Sequence, residues 1–465
     1  MRNLLLSILF LFPSAMVAGE IAIDTSRRAQ QIEGWGVSLC WWARMCGTWD
    51  DARIDEIVDW LVSPDGLNYN VFRYNIGGGD DPQNRNCEPH HMGKGKGLRA
   101  EMPGFKVYAD SEYDWKADSA QTKIMLKIKE RRPDAIFEAF SNSAPWFMTV
   151  SGCCGGADDA AKDNLRPDCY AAFAEYLVDV CRYYRDSLGI EFCTLEPFNE
   201  SHSNYWPRNG SQEGCHFDTP TQVAVVKEVY RLLQESGLRT VISASDETST
   251  RHSLDVLSGY DEVLPLIGQW NTHTYSATND ERRELARKVA ALGLRLWQSE
   301  TGSGGKGIQG NLNMLKRLFD DVSYLRPAAW CDWQYVEEKG DQWCLIQGDF
   351  ATQKYRKVKN YYVRQQVTRF IRQGYSMLEV DDDMTLAAVS PDESEVVVVV
   401  LNNTDDVREC RYTISKALGV ADVYTTSETQ NMSREHISLG RNAEGCATFD
   451  VTMPPLTVKT FVVRK

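Results

Sequence analysis

Two stretches decide the fold: Phe192-Cys-Thr-Leu-Glu-Pro-Phe-Asn-Glu200 and Arg295-Leu-Trp-Gln-Ser-Glu300. Each is a short apolar run that ends in polar residues at a glutamate and is followed by a helical pattern. The same theme recurs from about residue 31 to 373. Apolar runs at 34–38, 70–75, 136–141, 192–198, 240–244, 268–273, 295–299 and 328–334 predict eight strands. Amphipathic helices are expected between them, for example at 51–61, 119–131, 170–187, 221–236, 281–292 and 311–320. Continuous apolar strands alternating with helices indicate a parallel sheet covered by helices, and eight such units favour closure into a (β/α)8 TIM barrel, an α/β fold.

After a closing helix near 358–372 the pattern changes. Residues 374–465 read as short strands at 376–380, 384–389, 395–401, 408–415, 421–426 and 457–463, several separated by turn clusters, as in a β-sandwich. Residues 20–25 are also strand-like, so the segment 20–30 is expected to join that sandwich, with the barrel at 31–373. No flexible linker stands near 374, which predicts a side domain packed on the barrel.

At the N-terminus Arg2 precedes an apolar run from Leu4 to Phe12, and Val17-Ala18-Gly19 precede Glu20. This reads as a signal peptide over 1–19, placing the mature chain outside the cytoplasm: secreted, periplasmic or at the cell surface. The run is too short to span a bilayer, which needs about 20 apolar residues, and no other segment approaches that length. The net charge of −14 and the lack of a basic stripe argue against a nucleic-acid partner. The 13 Cys are an odd number, so at least one is unpaired, and none has zinc-like spacing. Vicinal Cys153 and Cys154 are expected to have separate partners or none, rather than each other.

A barrel carries its active site at the C-terminal ends of its strands. There the chain places Trp41 and Trp42, then Arg73, Asn75 and Gly77-Gly-Gly-Asp80, then Asn142 and Trp146. Asn199 and Glu200 follow strand four, Asp246 and Glu247 strand five, His273 and Tyr275 strand six, Glu300 strand seven, and Asp332, Trp333 and Gln334 strand eight. The set is rich in carboxylates, amides and aromatics. Glycoside hydrolysis needs two carboxyl groups, one to protonate the leaving oxygen and one that is ionised. Glu200 and Glu300 end strands that face one another across the barrel mouth, where they can approach to about 5 Å, the separation of a retaining enzyme. Asp246, Glu247, Glu196 and Glu337 are alternatives, Glu196 being turned away by strand alternation.

Asn199 is placed to bond a sugar 2-hydroxyl, and Asn142 is a further substrate-binding candidate. Arg73 is expected to hold Glu300 ionised through a charge-assisted hydrogen bond. His273 and Tyr275 either orient the nucleophile, donate to substrate hydroxyls or serve the fold. Trp41, Trp146 and Trp333 are candidate sugar platforms, one of Trp41 and Trp42 being core. The Gly77–Asp80 run lacks phosphate-loop chemistry and is read as letting backbone approach the substrate.

The stretches Gly34-Trp-Gly-Val-Ser-Leu-Cys-Trp-Trp-Ala43, Phe72-Arg-Tyr-Asn75, Asn142-Ser-Ala-Pro-Trp-Phe-Met148, Pro197-Phe-Asn-Glu200 and Ser299-Glu-Thr-Gly302 resemble glycoside hydrolase family 30. The first resembles its endo-β-1,6-galactanase branch. The resemblance runs over nearly the whole mature chain. It implies a retaining mechanism with Glu200 as acid/base and Glu300 as nucleophile, no metal or organic cofactor, and a polysaccharide or oligosaccharide substrate. Ser201 departs from the Pro that many relatives of the wider clan carry after the acid/base, which alters the following loop. β-1,6-Glucan, xylan and glucosylceramide are cleaved by relatives and stay open as substrates. A non-catalytic carbohydrate-binding barrel is the rival from another class, and it would be expected to lack one of the two glutamates.

Overall fold

The computed structural model describes residues 19–83, 85, 102–302, 306–338, 340 and 342–465. The expected leader therefore lies outside the described residues except for Gly19, as does Cys87. Eight parallel strands close into a barrel: Gly34–Ser38, Val71–Asn75, Ile136–Phe140, Thr194–Glu196, Val241–Ser249, Ile267–Ser276, Arg295–Thr301 and Ala329–Asp332. The second strand is buried at every residue, as expected of a strand covered on both faces. Glycine permits the closest approach between the first two strands. A Cβ on Gly36 would lie 2.1 Å from the Val71 carbonyl oxygen.

Two strands differ from the expected bounds in ways that shape the site. The fourth is only Thr194–Glu196, because Pro197 removes an amide donor and frees Phe198 to Glu200 from the ladder. The fifth runs on through Asp246 and Glu247 to Ser249, with register shifts on either side of Glu247. Such bulges re-aim side chains near barrel rims. After strand eight comes a small sheet missed by the sequence pattern, Val336–Glu337 with Ile346–Asp349 and Lys354–Lys357. Glu337 belongs to that sheet.

The side domain is a sandwich of a seven-stranded and a four-stranded sheet. Gly19–Ile23 pairs in parallel with Arg408–Ile414, so the first described strand joins the sandwich as expected. Arg28–Gln31, a further strand, pairs with Ser376–Leu378 in the other sheet. Strand Glu395–Asn402 is buried throughout because its two faces meet two cores. Val396, Val398 and Val400 pack inside the sandwich. Val397, Val399 and Leu401 belong to the cluster that continues into the barrel. This is strand alternation, applied between two apolar layers.

Polar contacts lock that seam. Gln366, on the helix Lys359–Thr368, donates through Nε2 to Thr426 Oγ1 at 2.8 Å, and its carbonyl accepts from Thr460 Oγ1 at 2.7 Å. Among the described residues, no helix is long and apolar enough to cross a membrane. Cys153 is disulfide-bonded, whereas the Cys154 thiol donates to Asp80 Oδ1 at 3.4 Å, so the vicinal pair is not joined.

The seam yields a test. All 13 Trp lie between residues 35 and 343, so tryptophan emission reports on the barrel. Gln366→Ala, which removes a buried bond to the sandwich, is expected to lower the emission-monitored stability by about 1–3 kcal/mol in denaturant titration. An unchanged midpoint would show that the seam does not support the barrel.

Candidate active site

Glu200 stands just beyond strand four with φ of 48°, and its amide donates to the Asp246 carbonyl at 2.9 Å. That bond ties the end of strand four to strand five and turns the carboxyl into the barrel mouth. Glu300 reaches the same space from strand seven. A carboxyl oxygen of Glu200, one of Glu300 and a ring nitrogen of His273 lie within 4.8 Å of one another. Sequence reasoning paired the two glutamates, and the structure brings them together.

Beneath them sits Arg73, fully buried on strand two. Its Nε donates to Glu138 Oε1 at 2.9 Å, Nη1 to Glu300 Oε2 at 3.2 Å and Nη2 to Asp246 Oδ2, and its guanidinium lies over the Phe140 ring. The contact to Glu300 was anticipated; those to Glu138 and Asp246 were not. Glu138 is further held by Thr194 Oγ1 at 2.6 Å and by Gln269 and Asn271 at 3.0 Å each. Burial opposes a charge on Asp246, but Arg73, His273 and Ser299 outweigh it and hold the carboxyl at about 2.

His273 Nδ1 lies 3.0 Å from Glu200 Oε1 and 3.6 Å from Glu300 Oε1, and Nε2 lies 3.1 Å from Asp246 Oδ1. Burial disfavours the imidazolium, yet the charges of Glu300 and Asp246 and the bonds to Asp246 and Glu200 hold it well above the usual histidine range. Tyr275 Oη donates to Glu300 Oε1 at 3.0 Å. Glu300 is pushed up to about 7, by burial first; His273 and Arg73 oppose this and the Glu200 charge adds to it. Glu200, His273 and Glu300 have a spacing that a cation could accept, but the imidazolium already presents protons to the carboxylates. A metal would have to displace them.

The cleft above this floor has a volume of about 370 Å3. Asn142, Asn199, Trp41 and Trp333 line it, as expected, with Trp41 and Trp333 edge-to-face at 5.0 Å. Trp42 is the core member of its pair. Tyr205, Gln212, Thr248 and Trp343 also line the cleft and were not foreseen. They lie in or beside loops without apolar period, and the Asn-Tyr-Trp stretch five residues after Glu200 was the only local signal for Tyr205.

Several expectations are corrected. Trp146 does not line this cleft: Nε1 donates to the Val107 carbonyl at 3.0 Å, and its ring packs edge-on against Tyr108 and Phe147. The Gly77–Asp80 run serves packing rather than approach to a ligand. Cβ atoms at Gly77 and Gly78 would strike the Met102 and Ala144 carbonyl oxygens, and Gly78 N donates to Glu213 Oε1 at 2.5 Å. Among the alternative carboxyls, burial pushes Glu247 up to about 8 as it accepts from the His202 amide, and burial with the Asp246 and Glu138 charges lifts Glu196 well above its ordinary range. Asp332 is bound by Arg364 and Tyr69.

Known proteins share this architecture. The family description O-Glycosyl hydrolase family 30 matches residues 18–262. An endo-β-1,6-galactanase of Hypocrea rufa is 31% identical over 398 residues, covering 82% of this chain and 81% of that protein. An exo-β-1,6-galactobiohydrolase of Bifidobacterium longum subsp. longum is 25% identical over a match that covers 67% of this chain and 26% of that protein. The crystal structure of a conserved exported protein from Bacteroides fragilis superposes with a TM-score of 0.80 at 19% identity, covering 95% of this chain and 100% of that one, a likeness of fold alone. The family match spans more than half the chain and the galactanase aligns along most of both proteins, so the chain is a glycoside hydrolase belonging to O-glycosyl hydrolase family 30.

Proposed function

We propose that this protein is an exported, retaining endo-β-1,6-galactanase in which Glu300 is the nucleophile and Glu200 the general acid/base. The observation that carries the mechanism is the separation of the two carboxyls. Oxygens within 4.8 Å of each other suit direct attack on the anomeric carbon, for which carboxyl groups about 5 Å apart are used; inverting enzymes need about 6.5–9.5 Å to admit a water. Glu300 attacks the anomeric carbon while Glu200 protonates the departing oxygen, giving a glycosyl-enzyme. Glu200 then takes a proton from water, which releases the sugar with retention.

Charge decides which glutamate plays which part. Burial and the nearby Glu200 charge push Glu300 up to about 7, so its carboxylate needs support from donors. Arg73, His273 and Tyr275 all face Glu300, so three donors stabilise its carboxylate once substrate occupies the cleft. Asn199 and Asn142 are then available to sugar hydroxyls, and Trp41 and Trp333 form an apolar wall for a ring. The linkage rests on the two curated relatives, whose names carry β-1,6-galactan chemistry, and endo action on the first of them. Export rests on the leader-like residues 1–19 and on the exported bacterial protein of the same fold.

The deciding experiment is a panel of β-1,6-galactan, β-1,6-glucan and xylan, with products sized and the first-formed anomer identified by NMR. The reading expects β-anomeric oligosaccharides from galactan. Monomer or dimer released from chain ends would overturn endo action, and α-anomers would overturn retention. Glu300→Gln is expected to lose at least about 10⁴-fold in kcat while keeping oligosaccharide affinity, and chelator is expected to leave the wild type unchanged. Turnover surviving in that variant, or lost to chelator, would sink the proposal.

Arg73→Lys keeps a positive charge but loses the three-way fork. Arg73 favours the ionised form of Glu300, so weakening it demands a higher pH before the nucleophile is charged. The acidic limb of kcat/KM is expected to move up by about one pH unit. A limb that stays in place would assign Arg73 to the fold alone.

A further inference from the structure

Among the described residues, the large apolar or aromatic side chains left exposed include two aromatics, Tyr205 and Trp343, and both line the same cleft. Tyr205 is the more informative. Its hydroxyl donates to Glu200 Oε2 at 2.5 Å, while His273 Nδ1 faces Oε1 at 3.0 Å. Both oxygens of Glu200 are therefore occupied by donors. A glycosidic oxygen that is to take a proton from Glu200 must come within hydrogen-bond reach of one of these oxygens, and in the confined cleft one donor gives way to it.

His273 is not the one to leave. It is wholly buried and lies between Glu200, Glu300 and Asp246. Tyr205 is 44% exposed and stands at the cleft wall. Its neighbour supplies a fixed anchor: Trp206 Nε1 donates to the Glu200 carbonyl at 3.1 Å, and the ring lies so close to Gly214 that a Cβ there would strike it. Burial and the Glu200 charge push the Tyr205 hydroxyl above its ordinary range, so it stays a donor.

We infer that Tyr205 Oη occupies, in the substrate-free protein, the position that the leaving glycosidic oxygen takes, which makes Oε2 the proton-delivering oxygen of Glu200 and Tyr205 a positioning residue and a wall of the leaving-group subsite. The inference rests on Glu200 being the acid/base. Substrate displaces the hydroxyl from Oε2, and the aromatic ring then flanks the leaving sugar, whose flat C–H face suits it. No proton passes through Tyr205. The proton moves from Glu200 Oε2 to the glycosidic oxygen as the anomeric C–O bond breaks.

A pH signature follows. The groups facing Glu200 are Asp246 and Glu247 from strand five, His273 and Tyr275 from strand six and Glu300 from strand seven. All remain in a Tyr205 variant. Tyr205 Oη donates to Glu200 Oε2, and a carboxylate accepts such a bond better than a carboxylic acid does, so removing the hydroxyl is read in the basic limb of kcat/KM.

The experiment compares wild type, Tyr205→Phe, Tyr205→Ala and Glu200→Gln on two substrates. One is the β-linked oligosaccharide that the wild type cleaves; the other is an aryl β-glycoside of the same sugar with an acidic phenol, whose departure needs little protonation. Tyr205→Phe is expected to move the basic limb of kcat/KM on the oligosaccharide up by about half to one pH unit. A circular dichroism spectrum and thermal midpoint matching wild type report an intact fold. Tyr205→Ala should raise KM for the oligosaccharide about 2- to 13-fold, the range of losing one aromatic contact, whereas Tyr205→Phe keeps the ring and should leave that KM near the wild-type value. A basic limb unmoved in the Phe variant, or an oligosaccharide KM unchanged in the Ala variant, would overturn the role of Tyr205. Glu200→Gln losing kcat/KM equally on both substrates would instead overturn the acid/base reading on which it rests.

Discussion

Arg73 is the interaction on which the rest of the site depends. It is a single guanidinium at the bottom of the barrel mouth, with no exposed surface, and it bonds Glu138, Asp246 and Glu300 at once. A buried charge is tolerated only when paired and hydrogen-bonded. Here one cation and the His273 imidazolium face four carboxyls from strands three, five and seven and the end of strand four. Two positive charges cannot neutralise four negative ones in a dry site. Burial first, and the neighbouring Glu200 and Asp246 charges after it, push Glu300 up to about 7 against His273 and Arg73, while Asp246, with both cations beside it, is held at about 2.

The fold serves that arrangement. Strand two can bury an arginine because strands three and five place carboxylates at matching heights, and the bulged end of strand five turns Asp246 inward. Pro197 ends strand four early, so Glu200 is carried on a short irregular segment pinned to the Asp246 carbonyl. The sandwich adds rigidity from behind, since alternate valines of one strand pack into the barrel-side core and into the sandwich. The floor of the site is therefore stiff. Its rim, at Tyr205 and Trp343, is exposed.

The barrel was legible because its strands are short apolar runs between amphipathic helices, and strand ends then located Glu200, Glu300, Arg73, His273 and Tyr275 in one place. Glu196 does not line the cleft, but it lies buried beside the charges of Asp246, Glu138 and Arg73, on the same strand face as Thr194. What escaped was of two kinds. Glu138 and Asp246 are buried partners of Arg73, and a carboxylate inside a strand gives no local sign of the cation it will meet. Tyr205 and Trp343 escaped because exposure at a rim follows from how loops lie, which has no period. Trp146 shows the converse: an aromatic after a strand end that looked like a platform is used up in packing beside Val107. The same holds for Gly77 and Gly78, whose missing side chains admit neighbouring backbone rather than a ligand.

The central claim is that the charge arrangement makes Glu300, and not Glu200, the group that bonds to sugar. It is tested most directly by treating the protein with a 2-deoxy-2-fluoro glycoside carrying a good leaving group, then locating the adduct by peptide mass spectrometry. The account predicts one sugar per chain, on the peptide containing Glu300, released on incubation with an acceptor sugar. An adduct on Glu200, Asp246 or Glu247, or no adduct while the reagent is turned over, would contradict it.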